Sequence, residues 1–270
     1  KQESPLGKMR RKLPSGKRRI FPHNRLVAYY GTAGTGVLGV LGEADPDRIT
    51  KRLRRAARPF ATKGRPVQPV YELIVTVADA TPGPDGDYNH DISHEHVQTY
   101  IDAAHRNGAL LVLDIQPGTS DFLTVAKRWK WALQDPWVGL ALDPEWRMKP
   151  GQVPGQVLGS VGAAEVNRVG QWLSRLTRKD DLPEKVFMLH TFRRSMIVGA
   201  RKVRRRDGLA LVQHVDGFGS PSQKLATYHH VAIPKRFHMG FKLFYDEDQP
   251  RMTARQVLRI RPEVKFISFQ

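Results

Sequence analysis

Cysteine is absent from the 270 residues, which excludes disulfides, thiolate metal sites and a cysteine nucleophile. An oxidising compartment is compatible with that composition without being required by it. No run of 18 or more apolar residues occurs, so no bilayer-spanning helix is expected. Zinc-finger, RRM and KH signatures and the His-Glu-x-x-His helix are missing, so no specific nucleic-acid recognition is expected. The glycine-bearing run Gly31-Thr32-Ala33-Gly34-Thr35-Gly36 fits neither G-x-G-x-x-G nor the P-loop and reads as a flexible connection. Acidic residues are scarce, 26 Asp and Glu against 44 Lys and Arg, for a formal charge of +18.

That charge biases the protein toward polyanions. Residues 1–20 hold eight basic residues and one acidic, and further cations crowd 51–65 and 193–206. The last two stretches are expected on outer helices, where they make a basic solvated shell suited to an anionic cell-surface polymer. The chain opens at Lys1 with a polar, basic, aperiodic segment, which reads as a trimmed form of a secreted or surface-attached protein. It is expected to be a monomer.

What is present is a regular alternation. Apolar runs at 26–31, 67–78, 109–116, 138–143, 186–191, 209–216, 239–245 and 264–269 have the composition of strands. Several, such as Leu110-Leu111-Val112-Leu113, are continuous, as where both sheet faces are covered. Helical patterns fit between them at 45–60, 93–106, 119–133, 163–179, 194–206, 221–231 and 253–260. Asp45 before Pro46, Ser93 and Thr253 serve as caps, and Gly108 and Gly208 follow helix ends. Eight strands with seven helices predict a single (β/α)8 barrel of the TIM type lacking its last helix. A basic arm at 1–22 precedes a barrel domain at 23–270. The 40% of hydrophobic residues suffices for its core.

Such barrels place their chemistry at the C-terminal strand ends. Five runs turn polar there: Asp114-Ile115-Gln116, Asp143-Pro144-Glu145-Trp146, His190-Thr191, His214-Val215-Asp216 and Tyr245-Asp246. Strand alternation puts Asp114 with Gln116, Asp143 with Glu145, and His214 with Asp216 on common faces. Two carboxylates about 6 to 7 Å apart along a strand raise the proton affinity of one of them, so Glu145 is the expected general acid with Asp143 as its modulator. Asp216 is the expected nucleophile or base, preferred over Asp246 because Gly217 leaves room beside it. Asp114, Gln116, His190, His214, Lys242, Tyr245, Asp246, Trp146 and Tyr30 are expected substrate-binding residues, the aromatic faces suiting sugar rings. His94-Glu95-His96 reads as the exposed start of a helix. No cofactor or metal is required on this reading.

The strand-four motif resembles TIM-barrel glycoside hydrolases of the chitinase-like and lysozyme-like kinds. The pattern Asp-Gly-x-Asp-x-Asp-x-Glu overlies residues 138–145 with Gly139, Asp143 and Glu145 matching, while Val138 and Ala141 stand where aspartates belong. The runs 22–31 and 240–245 also look like a group of secreted bacterial proteins without a settled activity. The resemblance implies a glycoside hydrolase acting on a cell-surface or wall polysaccharide, with Glu145 as proton donor. Two alternatives stand beside it: a non-catalytic glycan-binding barrel, and a metal-dependent hydrolase using Asp114, Asp143, His190, His214 and Asp216, whose oxygen and imidazole groups suit a divalent ion.

Overall fold

The computed structural model describes residues 12–270; the expected arm at 1–22 lies partly outside them. Eight parallel strands close on themselves: β1 (Arg25–Gly31), β2 (Val67–Ala78), β3 (Leu110–Ile115), β4 (Val138–Leu142), β5 (Lys185–Thr191), β6 (Leu209–Val215), β7 (His238–Leu243) and β8 (Val264–Phe269). Each pairs with the next in sequence, and β1 pairs with both β8 and β2, which closes the barrel. The expected TIM-type barrel is the observed fold.

Seven helices occur among the described residues: α1 (Pro46–Ala57), α2 (His94–Asn107), α3 (Phe122–Arg128), α4 (Lys130–Leu133), α5 (Ala163–Lys179), α6 (Pro221–Val231) and α7 (Ala254–Arg259). The side chains of Asp45, Ser93 and Thr253 accept from the backbone of Arg48, His96 and Gln256, so the expected caps start their helices. Gly108 ends α2 in the left-handed region, at φ 60°. The helix expected at 119–133 breaks in two at Trp129.

The helix expected at 194–206 does not form. Two single 3-10 turns, Arg194–Met196 and Ala200–Lys202, stand there, with Ile197–Val198 pairing to Val161–Gly162. Gly199 sits at φ 73°, outside the helical region. A helix would also stack Arg201 on Arg205 and Lys202 on Arg206, like charges one turn apart.

Side chains of alternate strand residues divide into two clusters. Val27, Tyr29, Leu111, Leu113, Leu140 and Leu211 face outward to the helices. Leu26, Ala28, Val70, Val112, Met188, Val212 and Phe266 fill the barrel, joined at its N-terminal end by Leu13, Ile20 and Phe21. The described part of the N-terminal segment therefore plugs the bottom of the barrel. It is held there by Trp137 Nε1 donating to Lys12 O at 2.8 Å and Ile20 N to Glu184 Oε2 at 2.6 Å. Lys185, buried at the same end, donates to Asp135 O at 2.7 Å and Val138 O at 2.8 Å.

Candidate active site

Moving up the barrel interior, the apolar layers give way to a buried ionisable one. Tyr30 on β1, Glu72 on β2, Asp114 on β3, Asp143 after β4, His190 on β5, His214 on β6, Asp216 after β6, Lys242 on β7 and Ser268 on β8 are all buried. The inward alternation that places Leu26 and Ala28 in the core brings Tyr30 to the top, and Val112 likewise leads to Asp114. Gly240 makes room for the His214 ring, since a Cβ there would lie 2.3 Å from its Nδ1.

His190 is the hub. Its Nδ1 is 2.9 Å from Asp216 Oδ2, and its Nε2 is 2.9 Å from Glu72 Oε1 and 3.7 Å from Asp114 Oδ1. The contact with Glu72 is an ion pair misaligned for a hydrogen bond, so both atoms count as unpartnered donors or acceptors. The Tyr30 hydroxyl donates to Asp114 Oδ2 at 3.0 Å, and His214 Nε2 meets Ser268 Oγ at 2.6 Å. Lys242 Nζ lies 3.8 Å from Asp216 Oδ2, donates to Gln270 Oε1 at 3.1 Å and sits 3.7 Å from the Tyr30 ring centre.

The protonation pattern follows from too much negative charge in a dry space. Burial, and then the neighbouring Glu72 charge, pushes Asp114 up to about 6 against the pull of His190. Burial likewise holds Asp143 well above the usual carboxylate range, and Glu145 is raised by burial and then by Asp216. Asp216 goes the other way: burial opposes its charge, but the hydrogen bond and charge of His190, then Lys242, outweigh it. His190 is held protonated by Asp216 and Glu72 despite its burial. His214 is kept neutral by burial and by the adjacent His190 and Lys242 charges.

The expected residues fare unequally. The structure brings Tyr30, Asp114, Asp143, His190, His214, Asp216 and Lys242 together. Asp143 and Glu145 are not alternate residues of one strand: β4 stops at Leu142, and Pro144–Trp146 forms a 3-10 turn with Asp143 Oδ1 accepting from Glu145 N at 3.4 Å. Proline at the start of that turn ends the ladder. Glu145 and Trp146 are half-buried and line a recess of about 270 Å3 with Leu158, Phe192 and Arg193. Gln116 is buried, its Oε1 accepting from Ala78 N at 3.0 Å and tying β3 to β2. Tyr245 lies outside the barrel, stacked on Phe269 with 5.5 Å between ring centres, and Asp246 is exposed. Neither joins the cluster, because β7 ends at Leu243.

Glu72 and Ser268 are the residues that sequence reasoning missed. The signal for Glu72 was a lone charge inside Val70-Tyr71-Glu72-Leu73-Ile74-Val75, an otherwise apolar strand. Ligand atoms of Glu72, His190 and His214 all lie within 4.8 Å of one another, spacing that suits a metal ion.

No family model matches the chain, and no curated protein matches it. Among solved structures, oxaloacetate acetylhydrolase in complex with the inhibitor 3,3-difluorooxalacetate is similar over 97% of this chain and 79% of that one, with a TM-score of 0.48 and 13% sequence identity. The resemblance to glycoside hydrolases is corrected by the geometry of residues 143–146. No family model supports it, and the Asp-x-Glu motif lacks the strand arrangement on which the likeness depended. The wall-polysaccharide substrate and the secreted setting lose the support that this resemblance lent them.

Proposed function

We propose that the chain is a metal-dependent hydrolase whose divalent cation is held by Glu72, His190 and His214, with Asp114 beside them. One observation carries this reading. Nine buried side-chain polar atoms among the described residues lack a hydrogen-bond partner, and six belong to this cluster: both oxygens of Glu72, Asp114 Oδ1, His190 Nε2, His214 Nδ1 and Asp216 Oδ1. Unpartnered buried polar atoms are costly singly, and ligand atoms of Glu72, His190 and His214 lie within 4.8 Å of one another, the spacing a cation site requires. The donor set, imidazole and carboxylate without thiolate, suits a divalent ion of the zinc, manganese or iron kind.

The surrounding residues have recognisable tasks on this reading. Asp216 orients His190 through Nδ1, leaving Nε2 to face the site, the carboxylate–histidine arrangement common behind metal-ligating imidazoles. Tyr30 fixes one oxygen of Asp114 and leaves the other directed at the cluster. A cation bound there would displace the proton from His190 Nε2 and would supply Lewis acidity and an activated water. Glu145, at the edge of the recess and with raised proton affinity, is the group placed to take up and return a proton. The recess admits a small substrate, and Arg193 favours an anionic one.

The test is calorimetric titration of zinc, manganese and magnesium into chelator-treated protein, alongside hydrolysis of a panel of small esters and amides. Saturable one-to-one binding, lost in Glu72→Gln, with hydrolysis that stops on chelation, is the expected result. Absence of saturable binding, or unchanged binding by Glu72→Gln, overturns the assignment.

A further inference from the structure

At the seam between β8 and β1 the outer wall is made by α1, the 3-10 turn Arg58–Phe60 and α7. The groove left there encloses about 650 Å3, within the range of about 300 to 1,000 Å3 usual for small-molecule sites. Its floor is aromatic. Tyr245 stacks on Phe269 at an interplanar angle of 25°, and the Tyr245 and Tyr29 hydroxyls are 3.0 Å apart. Its rim is cationic: Arg52 and Arg55 come from α1, Arg251 from the loop after β7, and Arg255 from α7. Only Arg52 has a carboxylate partner among the described residues, Glu43 at 2.6 Å. Arg251 instead lies over the ring of Tyr245, 4.3 Å from its centre.

We propose that this groove binds a nucleoside diphosphate, its planar base taking the face of Tyr245 that Arg251 covers, as Arg251 turns to join Arg55 and Arg255 on the phosphates. Three considerations favour that class. Arginine forks match phosphate oxygens in a way a simple positive surface does not. Aromatic faces and guanidinium planes stack on any base. A ligand bearing only one of these features leaves half of the groove unused. The pocket beside Arg194, Arg201 and Lys202, about 410 Å3, carries comparable charge but no Phe, Tyr or Trp, which makes it the internal control.

Titrating the full chain with ADP, adenosine and inorganic pyrophosphate, in the presence of chelator to silence the barrel mouth, tests the proposal. ADP is expected to bind at least tenfold more tightly than adenosine or pyrophosphate. Arg251→Ala with Arg255→Ala, both exposed positions, is expected to weaken ADP tenfold or more, with an unchanged melting temperature confirming the fold. Tyr245→Leu is expected to weaken ADP and leave pyrophosphate unaffected. Equal binding of pyrophosphate and ADP, equal loss on Arg194→Ala with Arg201→Ala, a preference for a single-stranded oligonucleotide, or no saturable ADP binding overturns it.

Discussion

The two ends of the barrel treat buried polar groups in opposite ways. At the N-terminal end, Lys185 is fully buried among apolar residues, and its nitrogen, as the neutral amine, places both of its N–H groups on carbonyls. At the C-terminal end, five carboxylates (Glu72, Asp114, Asp143, Glu145 and Asp216) face two cations, His190 and Lys242, and six atoms lack partners. A satisfied buried polar group is a structural element. A crowd of unsatisfied ones is retained at a cost in stability, and that cost marks the end of the barrel at which a ligand is wanted.

The contrast breaks first if the bottom is less essential to stability than the top. Phe21→Ala removes a ring that is 3% exposed in the lower plug and is expected to destabilise by about 3 to 5 kcal/mol, with metal affinity unchanged; urea unfolding and calorimetry check both halves. Glu72→Gln is expected to do the reverse. Metal affinity falls about 100-fold or more, roughly 2.7 kcal/mol or more, while the metal-free protein loses less stability than Phe21→Ala does, because Asp216 and Asp114 still face the His190 charge. Loss of stability equal to that of Phe21→Ala would mean that the upper cluster is structural. Asp216→Asn, which leaves the ligating side of His190 intact, is expected to lower metal affinity by about 10- to 100-fold, measured by the same titration.

Lys185 contributes a pH dependence instead. Burial lowers its pKa from 10.5 to about 7, so between those values the unfolded chain holds a proton that the folded one has released. Stability therefore rises with pH across that window, by up to about 1.4 kcal/mol per pH unit, and the penalty is fully developed below it. Lys185→Met is expected to flatten this slope between pH 7 and pH 9 in denaturant titrations. An unchanged slope would show that the two carbonyls hold the lysine charged.

Much of this architecture is legible locally. The near-continuous apolar runs, Asp45, Ser93 and Thr253 as caps, and Gly108 as a stop are short-range signals, and the barrel follows from them. The helix expected at 194–206 fails because apolar spacing says nothing of six crowded cations or of Gly199 turning left-handed. Asp114, Asp143, His190, His214 and Asp216 are legible because they end apolar runs. Glu72 is harder to read because it lies in mid-strand, where a lone charge marks an anomaly but names no partner until the opposite wall of the barrel is known. Tyr245 and Glu145 are misplaced for one reason: alternation was carried past the true strand ends, at Leu243 and Leu142.

By itself the sequence determined the order of strands, the basic surface and the end of the barrel where polar residues gather, because each depends on neighbours in the chain. Only the tertiary structure decided the identity of the site. Strand closure sets Glu72 against His190 and His214, and whether a buried charge has a partner is a property of the far wall, which no local pattern records.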